Sequence, residues 1–237
     1  MHLYIIPTPI GNLEDITLRA LRLLKEVDFV LCEDTRTTQN LLKHYDIQQR
    51  CIAYHIYNEH KQIVSLIQQI RQSRSVALVS DAGTPSISDP GFLLIREAIS
   101  QGVKIETLPG ATAFVPALVN SGFPSDAFYF NGFLPHKKGK LTLLQKLAAM
   151  ECTVIFYESP YRLHKTLDMM LPVFGHERLV AISRELTKVY EENFRGTLQE
   201  AVEHFKEKNV KGEIVVCVKA SRIIQLDKDK QHSSECP

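Results

Sequence analysis

The sequence predicts an α/β fold made of two α/β domains. The first carries a mostly parallel sheet with helices on both faces, and the second a mixed sheet. Three observations predict it. Short apolar runs alternate with helical stretches up to about residue 115, the pattern of parallel strands joined by crossover helices. Beyond that point the rhythm changes to aromatic-rich and closely spaced strands. The length of 237 residues fits one large or two small domains. The expected division is 1–115, 116–224 and a polar, charged tail over 225–237, which reads as disordered.

Leu3 to Ile6 is the first apolar run, and it stops at the turn-rich segment Pro7 to Asn12. Thr17 to Val27 follows with Leu18, Leu21, Leu24 and Val27 at helical spacing. Phe29 to Cys32 is a second strand, and a helix is expected over Thr37 to His44. Cys51 to His55 and Val76 to Val79 are strands on either side of a helix over Ile63 to Gln72. Phe92 to Ser100 reads as a helix with Pro90 near its first turn, and Val103 to Leu108 as the fifth strand. In the second half, strands are expected at Phe128 to Phe130, Thr153 to Tyr157, Leu179 to Ser183, Val189 to Arg195 and Ile214 to Val218. Helices are expected at Gly139 to Met150, Tyr161 to Leu171 and Leu198 to Lys208. The short Glu185 to Lys188 connection requires an antiparallel pair or a wide loop between its flanking strands.

Composition excludes several classes. Twenty-eight basic and 27 acidic side chains give a net charge of +1, so RNA affinity must come from a local patch, from dimerisation, or from a folded target. Five cysteines at irregular spacing, with no C-x-x-C pair, argue against structural zinc or a disulfide framework, and for reduced thiols in the cytoplasm. No metal ligation is expected: the nine histidines form no i, i+4 pair and no cluster with cysteine. The first twelve residues have neither the basic region nor the apolar core of a signal peptide. No stretch approaches the roughly 18 apolar residues of a membrane span, so no membrane partner is expected.

Ligands of an open parallel sheet bind beyond the carboxyl ends of its strands. Four segments fall there: Pro7 to Asn12, Glu33 to Arg36, Asp81 to Gly91 and Pro109 to Ala113. Glycine in such loops lets a ligand approach the backbone. The phosphate-binding signatures G-x-G-x-x-G and G-x-x-x-x-G-K-[ST] are absent, as is the G-x-S-x-G nucleophile elbow.

These segments, with Leu3 to Leu13, Gly132-Phe133-Leu134-Pro135, Phe156 to Arg162 and Arg184 to Lys188, closely resemble the ribosomal RNA small subunit methyltransferase I family. These are 16S rRNA (cytidine-2′-O)-methyltransferases of the tetrapyrrole methylase superfamily, and the resemblance runs from about residue 3 to about residue 220. It implies a tetrapyrrole methylase-like fold, a homodimer, and S-adenosyl-L-methionine in the cleft between the two domains. Carried over by position, the resemblance puts cofactor contacts at Pro9 and Gly11, then Asp81, Gly83, Thr84 and Ile87, then Thr112 and Ala113, with Tyr157 and Leu186 closing the pocket. Thr84 stands where the superfamily's Gly-Asp-Pro pattern has its acid.

Methyl transfer needs the acceptor hydroxyl aligned and its proton removed. The candidate bases are Asp34, Glu33, Glu185 and Lys188, with Arg36 or Lys188 as a cation beside the developing oxyanion. Candidate contacts to 16S rRNA of the small subunit are Arg36, Lys137, Lys138, Lys140, Arg162 and Arg184. A tetrapyrrole or protein methyltransferase, and a catalytically silent RNA-binding factor, are the alternatives the same fold allows.

Overall fold

The computed structural model describes residues 1–54 and 59–221, with the backbone alone over 59–62. The expected tail over 225–237, His55 and Cys236 lie outside the described residues.

In β1 (His2–Ile5) the side chains alternate between two cores, because successive residues of a strand point to opposite faces. Leu3 and Ile5 join one cluster with Phe29 and Leu31 of β2 (Phe29–Cys32) and Val76 and Leu78 of β4 (Ser75–Leu78). That cluster is closed by α3 (Glu59–Gln72) and α4 (Phe92–Ser100) through Leu66, Ile70, Leu94 and Ala98. Val30, Cys32 and Ala77 face the other way, under α1 (Leu18–Glu26) and α2 (Thr35–His44). With β3 (Cys51–Ala53) and β5 (Lys104–Thr107) the sheet has the order β3-β2-β4-β1-β5, every pair parallel. Both faces are covered, as expected for an all-parallel sheet.

Helix α1 sits in a different rotation from its predicted one. Leu18 is 86% exposed, and Ala20, Leu23, Leu24 and Val27 form the buried stripe. Thr17 caps the helix by accepting from Ala20 N–H, and this fixes where the stripe begins.

A helix the sequence did not announce, α5 (Phe114–Ser121), leads into the second sheet. That sheet comprises β6 (Phe128–Phe133), β7 (Thr153–Glu158), β8 (Leu179–Arg184), β9 (Glu192–Thr197) and β10 (Ile214–Val218), in the order β6-β7-β10-β8-β9. Only the β6–β7 pair is parallel, so the sheet is mixed, and β8 and β9 pair antiparallel. One face is covered by α6 (Lys140–Ala148), α7 (Leu163–Phe174) and α8 (Leu198–Phe205). Ala117 and Leu118 of α5 pack on the opposite face against Ile155, Ala181 and Val215. Ile10, from the loop after β1, packs against this last cluster and so joins the two sheets.

Val189 and Tyr190, expected inside a strand, are 93% and 74% exposed in the turn before β9. Of the cysteines described, Cys32 and Cys217 are buried, Cys51 and Cys152 half-buried, and all four are free thiols. No helix among the described residues is long and apolar enough to cross a membrane.

Candidate active site

The loops after β1, β4 and β5 are tied to one another. Thr8 and Gly83 exchange a pair of 2.9 Å backbone hydrogen bonds, and Thr8 Oγ1 donates to the Ser80 carbonyl. Thr84 Oγ1 donates to the Ala111 carbonyl at 3.0 Å and lies 2.6 Å from Thr112 Oγ1. The loop after β2 is drawn in as well, since Asp34 N–H donates to Asp81 Oδ1. Gly83 takes a φ of +81°, a left-handed conformation in which a Cβ would be strained. Ser86 and Ser88 take positive φ without being glycine, the kind of strain that concentrates at functional loops.

These loops and the facing edge of the second sheet enclose a cavity of about 470 Å³, within the range of small-molecule sites. Eight of the ten expected cofactor positions line it: Asp81, Gly83, Thr84, Ile87, Thr112, Ala113, Tyr157 and Leu186. Pro9 and Gly11 do not; Ile10 between them does. Gly11 instead meets the second domain, where Asn12 N–H donates to Thr187 Oγ1 at 3.1 Å. Sequence reasoning passed over Asp89, Glu158 and Glu213 as lining residues. Asp89 had a signal, a carboxylate in a Ser-Asp-Pro-Gly turn after a buried strand. Glu213 had none, because only the pairing of β10 brings it to the cleft.

Among the described residues, five acidic ones line the cavity, Glu33, Asp81, Asp89, Glu158 and Glu213, and no lysine, arginine or histidine does, although the Glu158 carboxylate itself is buried against Lys140 and Arg162. Such a wall repels phosphates and favours a ligand carrying positive charge.

Asp34, Glu185 and Lys188, the expected catalytic groups, stand off this wall in ion pairs. Asp34 caps α2 through Arg36 N–H and pairs with the Arg36 guanidinium at 2.6 Å. Those contacts hold its carboxyl down to about 2, a poor proton acceptor at neutral pH. Lys188 Nζ bridges Glu185 at 2.8 Å and Glu213 at 2.9 Å. Burial opposes charge at Glu185, but the Lys188 ammonium and the Glu213 N–H outweigh it and lower its pKa. Burial likewise opposes the Lys188 charge, and its two carboxylate partners outweigh that and raise its pKa.

Of the expected RNA contacts, Lys140 requires correction. It is buried, with Nζ 2.8 Å from Glu158 Oε2 and bonded to Thr166 Oγ1, so it cannot meet a phosphate. Arg162 is mostly covered, pairing with Glu158 at 2.7 Å and donating to the Leu134 carbonyl. Arg184 is held by Glu192 and the Lys211 carbonyl. Lys137 and Lys138 are exposed, and the Arg36 side chain is 86% exposed. Phe133 is 55% exposed at the cavity, edge-on to Tyr157.

Residues 2–202 match the family model described as Tetrapyrrole (Corrin/Porphyrin) Methylases. The chain is 51% identical over 218 residues to the ribosomal RNA small subunit methyltransferase I of Mesorhizobium japonicum, covering 91% of this chain and 74% of that one. It is 49% identical over 220 residues to the protein of that name from Halalkalibacterium halodurans, covering 92% and 76%. Among solved structures, the uroporphyrin-III C-methyl transferase of Thermus thermophilus complexed with S-adenyl homocysteine superposes with a TM-score of 0.65 at 20% identity. That superposition covers 92% of this chain and 97% of the other, and it shows a common fold.

Proposed function

The chain belongs to the ribosomal RNA small subunit methyltransferase I family, within the tetrapyrrole methylases, and we propose that it methylates the 2′-hydroxyl of a cytidine ribose in 16S rRNA, using S-adenosylmethionine. The observation that carries this reading is the 49–51% identity along more than nine-tenths of the chain to relatives of that name. The cleft is chemically suited to the cofactor. S-adenosylmethionine brings a methyl group on a cationic sulfonium and an ammonium, and among the described residues the lining supplies acidic oxygens and no competing cation. Thr84, Thr112 and Ala113 offer hydroxyl and backbone groups on the apposed loops. Ile10, Ile87 and Leu186 supply apolar surface for an adenosine.

Asp81 carries one of these contacts in this reading. Asp81→Ala is expected to lower cofactor affinity about 10- to 100-fold, the effect of losing one hydrogen bond to a charged group. Calorimetry with S-adenosylmethionine measures it, and unchanged affinity removes Asp81 from the site.

For the RNA, Phe133 is an exposed ring on which an unstacked base can lie, and Lys137 and Lys138 follow it in sequence. Arg36 is the exposed cation on the other side of the cleft. A homodimer would cover Val115, Val119, Phe128 and Tyr129, which α5 and β6 leave exposed. We place the protein in the cytoplasm, where small ribosomal subunits and reduced thiols are found.

Labelled methyl from S-adenosylmethionine is expected on 30S particles, and not on free cytidine. With so little net charge, recognition that rests on the shape of folded RNA favours the assembled particle. Label on neither 30S particles nor naked 16S rRNA overturns the reading.

A further inference from the structure

Strands β7 and β8 end, and β10 begins, at one edge of the second sheet, because Ile214 pairs with both Glu158 and Arg184. The parallel strand β6 ends there too, with Phe133 beside Tyr157. The order β6-β7-β10-β8 therefore sets four loops in a row, about 5 Å apart at their roots. Each gives the cavity a lining residue: Phe133, Pro160, Gly212 and Leu186 in that order. A substrate entering the cleft from this side has to cross that row.

The row carries large side chains turned to solvent. Tyr161 follows Pro160 and is 95% exposed. Tyr190, four residues after Leu186, is 74% exposed, and Val189 beside it is exposed as well. Neither ring sits on a slack loop. Arg162 N–H donates to the Ser159 carbonyl and closes a turn around Tyr161, and the Arg162 guanidinium ties that turn to Glu158 and to the Leu134 carbonyl. Glu191 N–H donates to the Lys188 carbonyl and closes a second turn, with Val189 and Tyr190 at its tip. Thr187 N–H and Asn193 Nδ2 both donate to the Glu191 carboxylate. Glu185 and Thr187 hold φ of 52° and 64°, strain that persists only where the surroundings enforce it. Rings held this firmly lose little freedom when something stacks on them.

Charge selects the partner. Lys137 and Lys138 in the first loop and Lys211 in the third are exposed. Glu158, Glu185 and Glu213, at the roots of the same loops, are paired with Lys140, Arg162 and Lys188. Exposed rings interleaved with lysines suit the unstacked bases and the phosphates of a single RNA strand. A second copy of the chain would find its apolar surface elsewhere, since Phe128 and Tyr129 are exposed at the opposite end of β6.

We propose that this row of loops grips the rRNA strand flanking the acceptor nucleotide, with Tyr161 and Tyr190 each stacking a base and Lys211 between them meeting the backbone. The role rests on the ribose-methylation reading above. The two tyrosine loops are two strand spacings apart, about 10 Å, with the Lys211 loop in the middle.

The test compares the unsubstituted chain with Tyr161→Ala, Tyr190→Ala and the two phenylalanine variants. Methyl transfer to 30S particles gives KM and kcat, filter binding gives 30S affinity without turnover, calorimetry gives S-adenosylhomocysteine affinity, and light scattering gives the mass. Each alanine variant is expected to weaken 30S affinity and raise KM about 5- to 100-fold, the effect of losing one base–ring stack. The cofactor-product affinity, kcat and mass are expected to stay within about threefold, threefold and 10% of the unsubstituted chain. Phenylalanine restores KM, because stacking needs the ring and not the hydroxyl. Ultraviolet cross-linking of the 30S complex is expected to join both tyrosines to rRNA.

The assignment is overturned by unchanged 30S affinity in both alanine variants, by a loss that phenylalanine does not restore, or by cross-links to a ribosomal protein in place of rRNA. A lowered mass gives the edge to a second copy, and a matching loss of cofactor-product affinity gives the rings to the cofactor site; either overturns it too. An unsubstituted chain that binds 30S particles through these rings and labels no rRNA overturns the functional reading and leaves the RNA edge standing.

Discussion

Lys140→Ala is expected to destabilise the second domain by about 3–5 kcal/mol, because it strands a buried carboxylate. Glu158 and Lys140 side chains are 0% and 6% exposed, so water cannot replace the lost ammonium. Glu158 would keep Arg162, Thr166 and Ser159 N–H as partners, but its Oε2 would lose the ammonium that faces it. Burial opposes the Glu158 charge, yet its hydrogen bonds, led by the one from Lys140, leave its pKa lowered. Stability from this group is therefore present above the ordinary carboxylate value and is lost as pH falls through the lowered one. Guanidinium unfolding at neutral pH measures the effect. Lys137→Ala and Lys138→Ala, on exposed positions three and two residues earlier, are expected to stay within about 0.5 kcal/mol and to weaken RNA binding instead. Equal stability losses at all three positions would refute the distinction.

Gly11→Val is expected to reduce methyl transfer at least about 10²-fold while leaving each sheet intact, since displacements near 1 Å suffice for such losses. The reason is steric and not conformational. A Cβ there would overlap Lys188 Cγ, and would stand 2.8 Å from Thr187 Oγ1 and 3.0 Å from the Leu186 carbonyl oxygen. The loop after β1 and the loop after β8 would have to separate, and Leu186 lines the cavity between them. The Asn12 to Thr187 hydrogen bond would go with them. Calorimetry should show weakened cofactor binding and far-UV circular dichroism an unchanged fold; full affinity in the variant would refute the argument.

The parallel half of the molecule was legible in the sequence because its strands are buried on both faces and its helices carry polar backs. Phe29–Cys32 and Phe92–Ser100 stand where their apolar runs put them, as does Ile214–Val218 in the second sheet. Helix α5 escaped because Phe114–Ser121 has no capping side chain and no charged face, so neither a start signal nor a period was visible. The strand predicted from Val189 slid because its apolar residues lie in a turn, while β9 itself is a polar edge strand, Glu192–Thr197. Asp81, Thr112 and Ala113 were readable as residues of the cavity wall because each follows the end of a parallel strand. Lys140 was not readable, because its neighbours in sequence are exposed and its partner Glu158 comes from strand β7.

Strand β1 lies inside the first sheet between β4 and β5, whose partner residues begin at Ser75 and Lys104. During synthesis β1 emerges before both of these partners and has no neighbour to pair with until most of the domain has followed it. Its Leu3 and Ile5 wait unburied through that interval, and the sheet closes late and over long loops, the slow regime of folding. Substitutions that lengthen this wait, such as weakening β5, should lower soluble yield in cells more than they lower equilibrium stability.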